Sequence, residues 1–131
     1  MMYREPSDSP WGVVVRCDTL CTGVYSVSTA GHGGIMVQTD AARRLLSPEA
    51  QAVGFQAGRY LNFEEDCDAP VVLRELVDSG IIAPRTDNYF RPGEYEACID
   101  RGLQRWNPAY WRARQKRLSV QAAKATKERE R

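Results

Sequence analysis

The sequence lacks the features that mark several classes of protein. It contains no apolar run long enough to span a membrane, and its first residues do not resemble the hydrophobic segment of a signal peptide. We therefore expect no membrane association and a cytoplasmic location. In that reducing compartment, free thiols are the expected state of the four cysteines, Cys17, Cys21, Cys67 and Cys98. There are no internal repeats, and so no sign of a repeat architecture.

Motifs for cofactors and catalysis are also missing. The glycine-rich run Ser28–Gly34 lacks the Walker lysine, and its glycine spacing does not match the dinucleotide fingerprint. A single histidine, His32, and no recognisable nucleophile motif make catalysis the weakest of the function hypotheses. Because no second paired-ligand motif accompanies Cys17 and Cys21, the sequence predicts neither a metal site nor a cofactor.

The composition is that of an ordinary globular protein. The 131 residues are 43% hydrophobic and 27% charged, which predicts one domain over residues 1–131 with a core of its own. The net charge of +1 hides an asymmetry: residues 1–100 carry 8 Lys/Arg and 15 Asp/Glu, whereas residues 101–131 carry 10 and 2. This division indicates two surfaces with different partners, or two surfaces that attract each other.

The order of local patterns predicts an α+β fold, in which a small antiparallel sheet of about three strands is covered on one face by C-terminal helices. Alternating apolar and polar residues predict strands within residues 11–38. The expected strands are Trp11–Arg16, Val24–Thr29 and Ile35–Gln38. The segments around them are a loose N terminus at 1–10, helices within 40–80, and a basic helical part at 92–131 with a frayed end.

The start of the helix before Gly80 has two interpretations. Asn62 is a candidate cap for a helix that begins near Glu64. Alternatively, Asp68 caps a helix that begins at Pro70, because proline is tolerated only in the first turn.

His32 with its neighbours Gly33 and Gly34 is the first candidate site. Glycines around one side chain indicate either a backbone with positive φ or the close approach of another group. Such a loop could offer backbone N–H groups to an anion, with His32 as a general base or a cation. The alternative is a tight connection between strands that carries a partly exposed histidine.

The second candidate is an acidic cluster formed by Glu64, Glu65, Asp66 and Asp68. Closely spaced carboxylates suit the binding of a cation or of the Arg and Lys side chains of a partner. The alternative is that these acids only favour a helix N terminus. Should the acids lie beside His32, a histidine–carboxylate pair becomes available for acid–base chemistry.

The third candidate is a basic and aromatic surface on the C-terminal helices, which comprises Arg105, Trp111, Arg112, Arg114, Lys116 and Arg117. Basic side chains contact phosphates and aromatic rings stack on bases, so DNA or RNA is a possible partner. The alternative is a solvated helix whose tryptophans pack onto the core.

Three motifs resemble those of an uncharacterised domain family. They are Trp11-Gly12, the run Val27–Gly34, and Glu64-Glu65-Asp66-Cys67, which begins about thirty residues after the glycine-rich run. The resemblance covers residues 11–80 and leaves the basic helices outside. Members of that family are encoded largely by bacterial phages and plasmids, sometimes beside anti-restriction modules.

The resemblance implies a mobile-element setting, in which small proteins often block host defences by binding. The first function hypothesis is therefore an inhibitor of the anti-CRISPR or anti-restriction type, which binds a defence protein or nuclease complex in the bacterial host cytoplasm. The acidic cluster would imitate phosphates in a basic nucleic-acid channel, or the basic helix would engage nucleic acid or an acidic subunit. A nucleic-acid-binding accessory protein is the alternative, and a small enzyme that uses His32 with Glu64 or Glu65 is a weaker one.

Overall fold

The computed structural model describes residues 3–130, and its α+β architecture confirms the predicted class. Residues 1, 2 and 131, which belong to the predicted loose N terminus and frayed end, lie outside the described residues. The strands are β1 (Asp8–Ser9), β2 (Gly12–Val13), β3 (Arg16–Cys21), β4 (Val24–Ser28), β5 (Gly33–Gln38), β6 (Phe55–Ala57) and β7 (Tyr60–Glu64). The helices are α1 (Thr39–Leu45), α2 (Pro48–Val53), α3 (Ala69–Asp78), α4 (Glu94–Trp106) and α5 (Pro108–Arg129).

The main sheet has five strands in the order β3-β4-β5-β7-β6, with every neighbouring pair antiparallel. The strand that pairs with β4 as a hairpin, β3, begins at Arg16 rather than at Trp11. The predicted strand Trp11–Arg16 is therefore wrong. Gly12 adopts a φ of +126° there and turns the chain, so only Gly12–Val13 is extended, and it pairs with β1.

The two strands that the sequence analysis missed form a hairpin at the far edge of the sheet. Gly58, with a φ of +59°, lies in the turn between β6 and β7. Asn62 is fully buried within β7, where its side-chain amide donates to the carbonyls of Phe55 and Tyr60. The predicted cap at Asn62 is therefore wrong, and α3 begins only at Ala69.

The helix that contains Pro70 starts near Asp68, as the second of the two predicted starts had it, and not near Glu64. Proline occupies its first turn and Asp68 the N-cap position, although the Asp68 side chain makes no capping hydrogen bond. The helix ends before Gly80, whose φ of +73° is the left-handed conformation common after helices.

Each face of the sheet buries its own set of side chains, because successive residues of a strand point to opposite faces. One face packs on the helices through Val24, Ile35, Val37, Leu61 and Phe63. The opposite face carries Tyr25, Val27 and Met36, which pack against residues of the N-terminal segment, Tyr3, Trp11 and Val14 among them. The N-terminal segment therefore covers the side of the sheet that the helices leave free.

The described residues before Trp11, 3–10, are attached to the fold rather than loose. The Tyr3 hydroxyl donates a hydrogen bond of 2.5 Å to Asp40 and accepts one of 3.2 Å from Arg44. The Tyr3 ring packs beside the sheet, and an aromatic ring that finds an apolar surface fixes the chain around it.

The C-terminal helix α5 continues to Arg129, through the end predicted to fray. Its buried residues are Tyr110 and Arg114, whereas Leu118 and the described residues after it, up to Glu130, are exposed. The described helices include none that is both long and apolar enough to cross a membrane.

Candidate functional site

His32 lies at the end of a tight turn between β4 and β5. The Thr29 N–H and hydroxyl both donate to the His32 carbonyl, at 2.7 and 2.6 Å, and the His32 N–H returns a bond of 3.1 Å to the Thr29 hydroxyl. These three bonds hold the backbone on both sides of the turn. The imidazole consequently projects from a fixed point at the edge of the sheet.

Glycine is needed at positions 33 and 34 because other groups pack closely there, and not because the backbone has a positive φ. Neither has a φ in the left-handed region. A Cβ on Gly34 would collide with the Phe63 carbonyl and the Trp11 indole, and one on Gly33 would meet the Val27 carbonyl and come within 3.1 Å of Glu65 Oε2. The two glycines therefore leave the space that other groups of the site occupy.

The structure brings His32 together with both glutamates of the acidic cluster. Nε2 of the ring lies 2.7 Å from Glu64 Oε1, and Nδ1 lies 3.6 Å from Glu65 Oε1. Strand pairing accounts for the approach, since Gly34 is opposite Glu64 and the Glu65 N–H donates to the Gly33 carbonyl. All three side chains remain accessible, with exposed fractions of 33% for His32, 41% for Glu64 and 45% for Glu65.

Trp11 completes the arrangement from the N-terminal segment. Its ring lies edge-on to the His32 ring, with centroids 6.3 Å apart, and also contacts the Phe55 ring at 6.2 Å. The three motifs, which are distant in sequence, thus meet at one place. We call Trp11, His32, Glu64, Glu65 and Asp66 the His32 corner.

The acidic cluster does not belong to the first turn of a helix. Glu64 ends β7, and Glu65 and Asp66 lie in the turn before α3. The helix-dipole interpretation is therefore wrong for these residues. Donor atoms of His32, Glu65 and Asp66 lie within 4.8 Å of one another, so these three side chains could hold a metal ion.

Cys67 and Asp68 end the acidic stretch and face inward. Burial, together with the charges of Asp68 and Glu64, raises the pKa of the Cys67 thiol, which therefore stays protonated and is a poor nucleophile. The Asn107 amide donates to the Cys67 carbonyl at 2.7 Å and to Asp68 Oδ1 at 3.2 Å. The junction of α4 and α5 is thereby attached to the stretch. All four cysteines of the chain are free, as predicted.

A cavity of about 390 Å³ opens beside the His32 corner, between the sheet and the helices. Its apolar lining includes Leu20, Ile35 and Leu73, and Glu65 reaches both the cavity and His32. A group that occupied the cavity would therefore contact the corner as well.

Residues 4–131 match the protein family described as "Domain of unknown function (DUF7007)". The chain belongs to this family. No curated protein and no solved structure matches it. The match includes the basic helices and runs to the end of the chain.

The basic residues within the matched C-terminal part do not form one surface. Arg114 is buried and contacts Asp78, with its Nε 2.7 Å from Oδ2, and Arg117 lies 3.6 Å from Glu75. Trp111 is partly buried beneath the Arg114 guanidinium. Of the predicted basic set, Arg105, Arg112 and Lys116 remain exposed. The charge division was expected to reflect either two surfaces with different partners or two surfaces that attract each other. Arg114 and Arg117 fit the second case, because they contact acids of the same chain.

A group of charged side chains that the sequence does not reveal lies between the helices, with its two arginines buried and its three acids partly buried. Arg74, with 5% of its side chain exposed, bonds to Asp78, Glu96 and Asp100, and Asp78 also accepts from Arg114. We call these five residues the Arg74 network. Only the Arg74–Asp78 pair, four residues apart on one helix, has a spacing that a sequence pattern reveals.

Proposed function

We propose that this protein acts by binding, and that the His32 corner docks onto a basic surface of a partner protein or nucleoprotein complex. The observation that carries the proposal is that the corner carboxylates are accessible and have no Lys or Arg partner among the described residues. Glu64 and Glu65 pair only with His32, and Asp66 pairs with nothing, among the residues that the structure describes. Accessible and unmatched carboxylates attract Arg and Lys of a partner and accelerate the encounter.

Exposed apolar side chains beside the corner support an interface. Val13 and Val15, on the segment that follows Trp11, have exposed fractions of 72% and 74%. Phe55, which contacts the Trp11 ring, is 43% exposed. Apolar residues next to charged ones are the usual composition of a docking surface, in which the apolar part excludes water from the contact.

The mobile-element setting implied by the resemblance suggests the kind of partner. Inhibition of a host defence complex, of the anti-CRISPR or anti-restriction type, requires a small protein that occupies a basic nucleic-acid channel. The carboxylates of Glu64, Glu65 and Asp66 would there take the positions of phosphates. Association would be fast and would weaken as salt is added, since opposite charges drive it.

The test measures binding to purified CRISPR effector and restriction complexes by the chain and by a Glu65→Lys/Asp66→Lys variant. We expect the reversal to weaken binding by about tenfold or more and to abolish inhibition of DNA cleavage. The matched control is Glu49→Lys/Glu94→Lys, which reverses two exposed acids outside the corner. Equal binding by the corner variant and the control would contradict the proposal.

A second candidate function is acid–base catalysis by His32, favoured by the 2.7 Å contact between Nε2 and Glu64. A carboxylate at that distance orients the ring and stabilises the imidazolium formed when His32 accepts a proton. With Cys67 protonated, the nucleophile would have to be water or a group of the substrate. Full biological effect in a His32→Ala variant would exclude this candidate.

Nucleic-acid binding by the C-terminal helices is favoured by the exposure of Arg105, Arg112 and Lys116 and by Trp106, which is 51% exposed. Deletion of the helices would be a poor test, because Tyr110 and Arg114 belong to the folded body. An Arg105→Glu/Arg112→Glu/Lys116→Glu variant leaves those contacts in place. An unchanged DNA or RNA shift by this variant at low salt would reject the candidate.

A further inference from the structure

The two nitrogens of the His32 ring face two different glutamates, Nε2 toward Glu64 and Nδ1 toward Glu65. An ionised carboxylate only accepts hydrogen bonds, so at 2.7 Å the Nε2–H of His32 is the donor to Glu64. In a neutral ring with its proton on Nε2, Nδ1 presents a lone pair. That lone pair points toward Glu65 Oε1, 3.6 Å away, which is also an acceptor.

Two acceptors that face each other repel unless a cation lies between them, which is either a proton on Nδ1 that makes the ring an imidazolium or a metal ion. The described part of the chain places no Lys or Arg within ion-pair distance of Glu64, Glu65 or Asp66. Two ligands that are each about 2.1 Å from one tetrahedral metal ion are about 3.4 Å apart, which is close to the Nδ1–Oε1 distance. Asp66 supplies a third donor within 4.8 Å of the other two.

The backbone around the cluster admits these side chains. Gly33 carries no Cβ where Glu65 passes, and the turn bonds of Thr29 fix the position from which His32 projects. A carboxylate behind a ring nitrogen is also the usual support of a metal-bound histidine, since it selects the tautomer and raises the basicity of the other nitrogen. An imidazole so oriented distinguishes this cluster from a group of surface acids.

We propose that His32 Nδ1, Glu65 and Asp66 form a site for a divalent transition-metal ion, with Glu64 as the residue that positions the imidazole. One nitrogen and two carboxylate ligands suit zinc and manganese, and affinity is expected to follow the order manganese below zinc. Three protein ligands leave at least one coordination position for water or for a group of a partner. The site does not depend on the proposed partner binding, and its test uses the isolated protein.

His32 is the only histidine of the chain, so its ring nitrogens can be followed by NMR without assignment of other histidines. The full chain is stripped with a chelator and titrated with zinc, manganese and, for comparison, magnesium. We expect zinc to shift the Nδ1 resonance at one equivalent while Nε2 keeps its proton. Manganese should broaden the same signal, and magnesium, which prefers oxygen ligands, should change it least.

Variants locate the ion by calorimetry. Glu65→Gln and Asp66→Asn each remove a ligand charge from an accessible side chain and should weaken zinc binding by about tenfold or more. Glu64→Ala should weaken it by about 10- to 100-fold, whereas Glu64→Gln, which can still accept from Nε2, should recover most of the affinity. Glu49→Gln, far along the chain in α2, is the matched control and should bind as the unaltered chain does.

Two results would overturn the proposal. One is an Nδ1 resonance that does not respond to zinc. The other is zinc affinity that survives in His32→Ala or in the Glu65→Gln and Asp66→Asn variants, which would assign the ion to cysteines instead. Because the charge-reversal variant also removes both carboxylate ligands, partner binding is measured on chelator-stripped protein, where loss of a metal ion cannot account for the result.

Discussion

The His32 corner and the Arg74 network use the same kinds of charged groups in opposite ways. In the network, two guanidiniums meet three carboxylates between packed helices, and the Arg74 side chain is 5% exposed. In the corner, two carboxylates share one imidazole, a third has no ion-pair partner among the described residues, and the side chains remain open to solvent. Matched charges that lie between helices hold those helices together, whereas unmatched and accessible ones are available to something outside the chain. The comparison therefore separates charge that serves the fold from charge that serves a ligand or a partner.

Loss of Arg74 should have the largest effect, because it breaks the network at its centre. Arg74→Ala leaves Asp78, Glu96 and Asp100 without their shared cation, and we expect unfolding in urea to show a loss of about 3–5 kcal/mol. Arg16→Ala, which removes an exposed pair with Asp18, is the control and should cost about 1 kcal/mol at most. Similar losses in the two variants would erase the distinction between the regions.

Gly34→Ala tests how tightly the corner is built. The added methyl group would collide with the Phe63 carbonyl and the Trp11 indole, and we expect a loss of about 1–3 kcal/mol together with a shift of the Trp11 indole N–H resonance in NMR. Gly31→Ala is the matched control, since a Cβ there meets nothing within 4 Å. An unchanged Trp11 resonance in the Gly34 variant, or an equal shift in both variants, would show that Trp11 does not rest on β5.

Acid should weaken the network through Asp78. Burial alone would raise the pKa of Asp78, but the hydrogen bonds from Arg114 and Arg74 outweigh it and hold the pKa below its ordinary value of 3.8. Below pH 3.8 the unfolded chain therefore binds more protons than the folded one at this position, and stability falls as pH falls through the folded pKa. Urea titrations at a series of pH values should show a shallower decline in Asp78→Asn than in the unaltered chain.

Removal of the corner contacts should have the smallest effect on stability. Glu64→Ala breaks a pair whose members are 33% and 41% exposed, and we expect the free energy of unfolding to change by about 1 kcal/mol at most. The same variant should lose zinc affinity strongly. A large loss of stability without a loss of binding would mean that the corner, like the network, holds the fold together.

The parts of the fold that follow local patterns could be predicted. Alternation in Val24–Thr29 indicated β4, and the helical part expected over 92–131 contains α4 and α5. The β6–β7 hairpin could not be predicted, because β6 is short and exposed and Asn62 is a polar residue at a fully buried position. The NH2 group of Asn62 donates to neighbouring carbonyls that only the folded sheet supplies, while its Oδ1 is buried without a partner among the described residues.

The members of the candidate site were predictable one by one, but their meeting was not. A pair of His32 with Glu64 or Glu65 was stated only on the condition that they lie side by side, because the strand register that brings them together depends on pairing between distant segments. Trp11 was part of a motif but not of a candidate site, and the carboxylates of the Arg74 network come from two helices. Such contacts are decided by packing between segments that are far apart in the chain. They therefore leave no regular residue spacing that could be recognised in a single sequence.

The attachment of Asn107 to the Cys67 carbonyl and Asp68 has a mechanical consequence. The 22-residue α5 begins one residue later and extends about 33 Å, so it is a long arm fixed at the loop that carries Glu65 and Asp66. A force applied along the exposed part of that arm would be transmitted to the loop. Slow local opening of the loop, as seen by hydrogen exchange, should therefore occur together with opening of the first turn of α5.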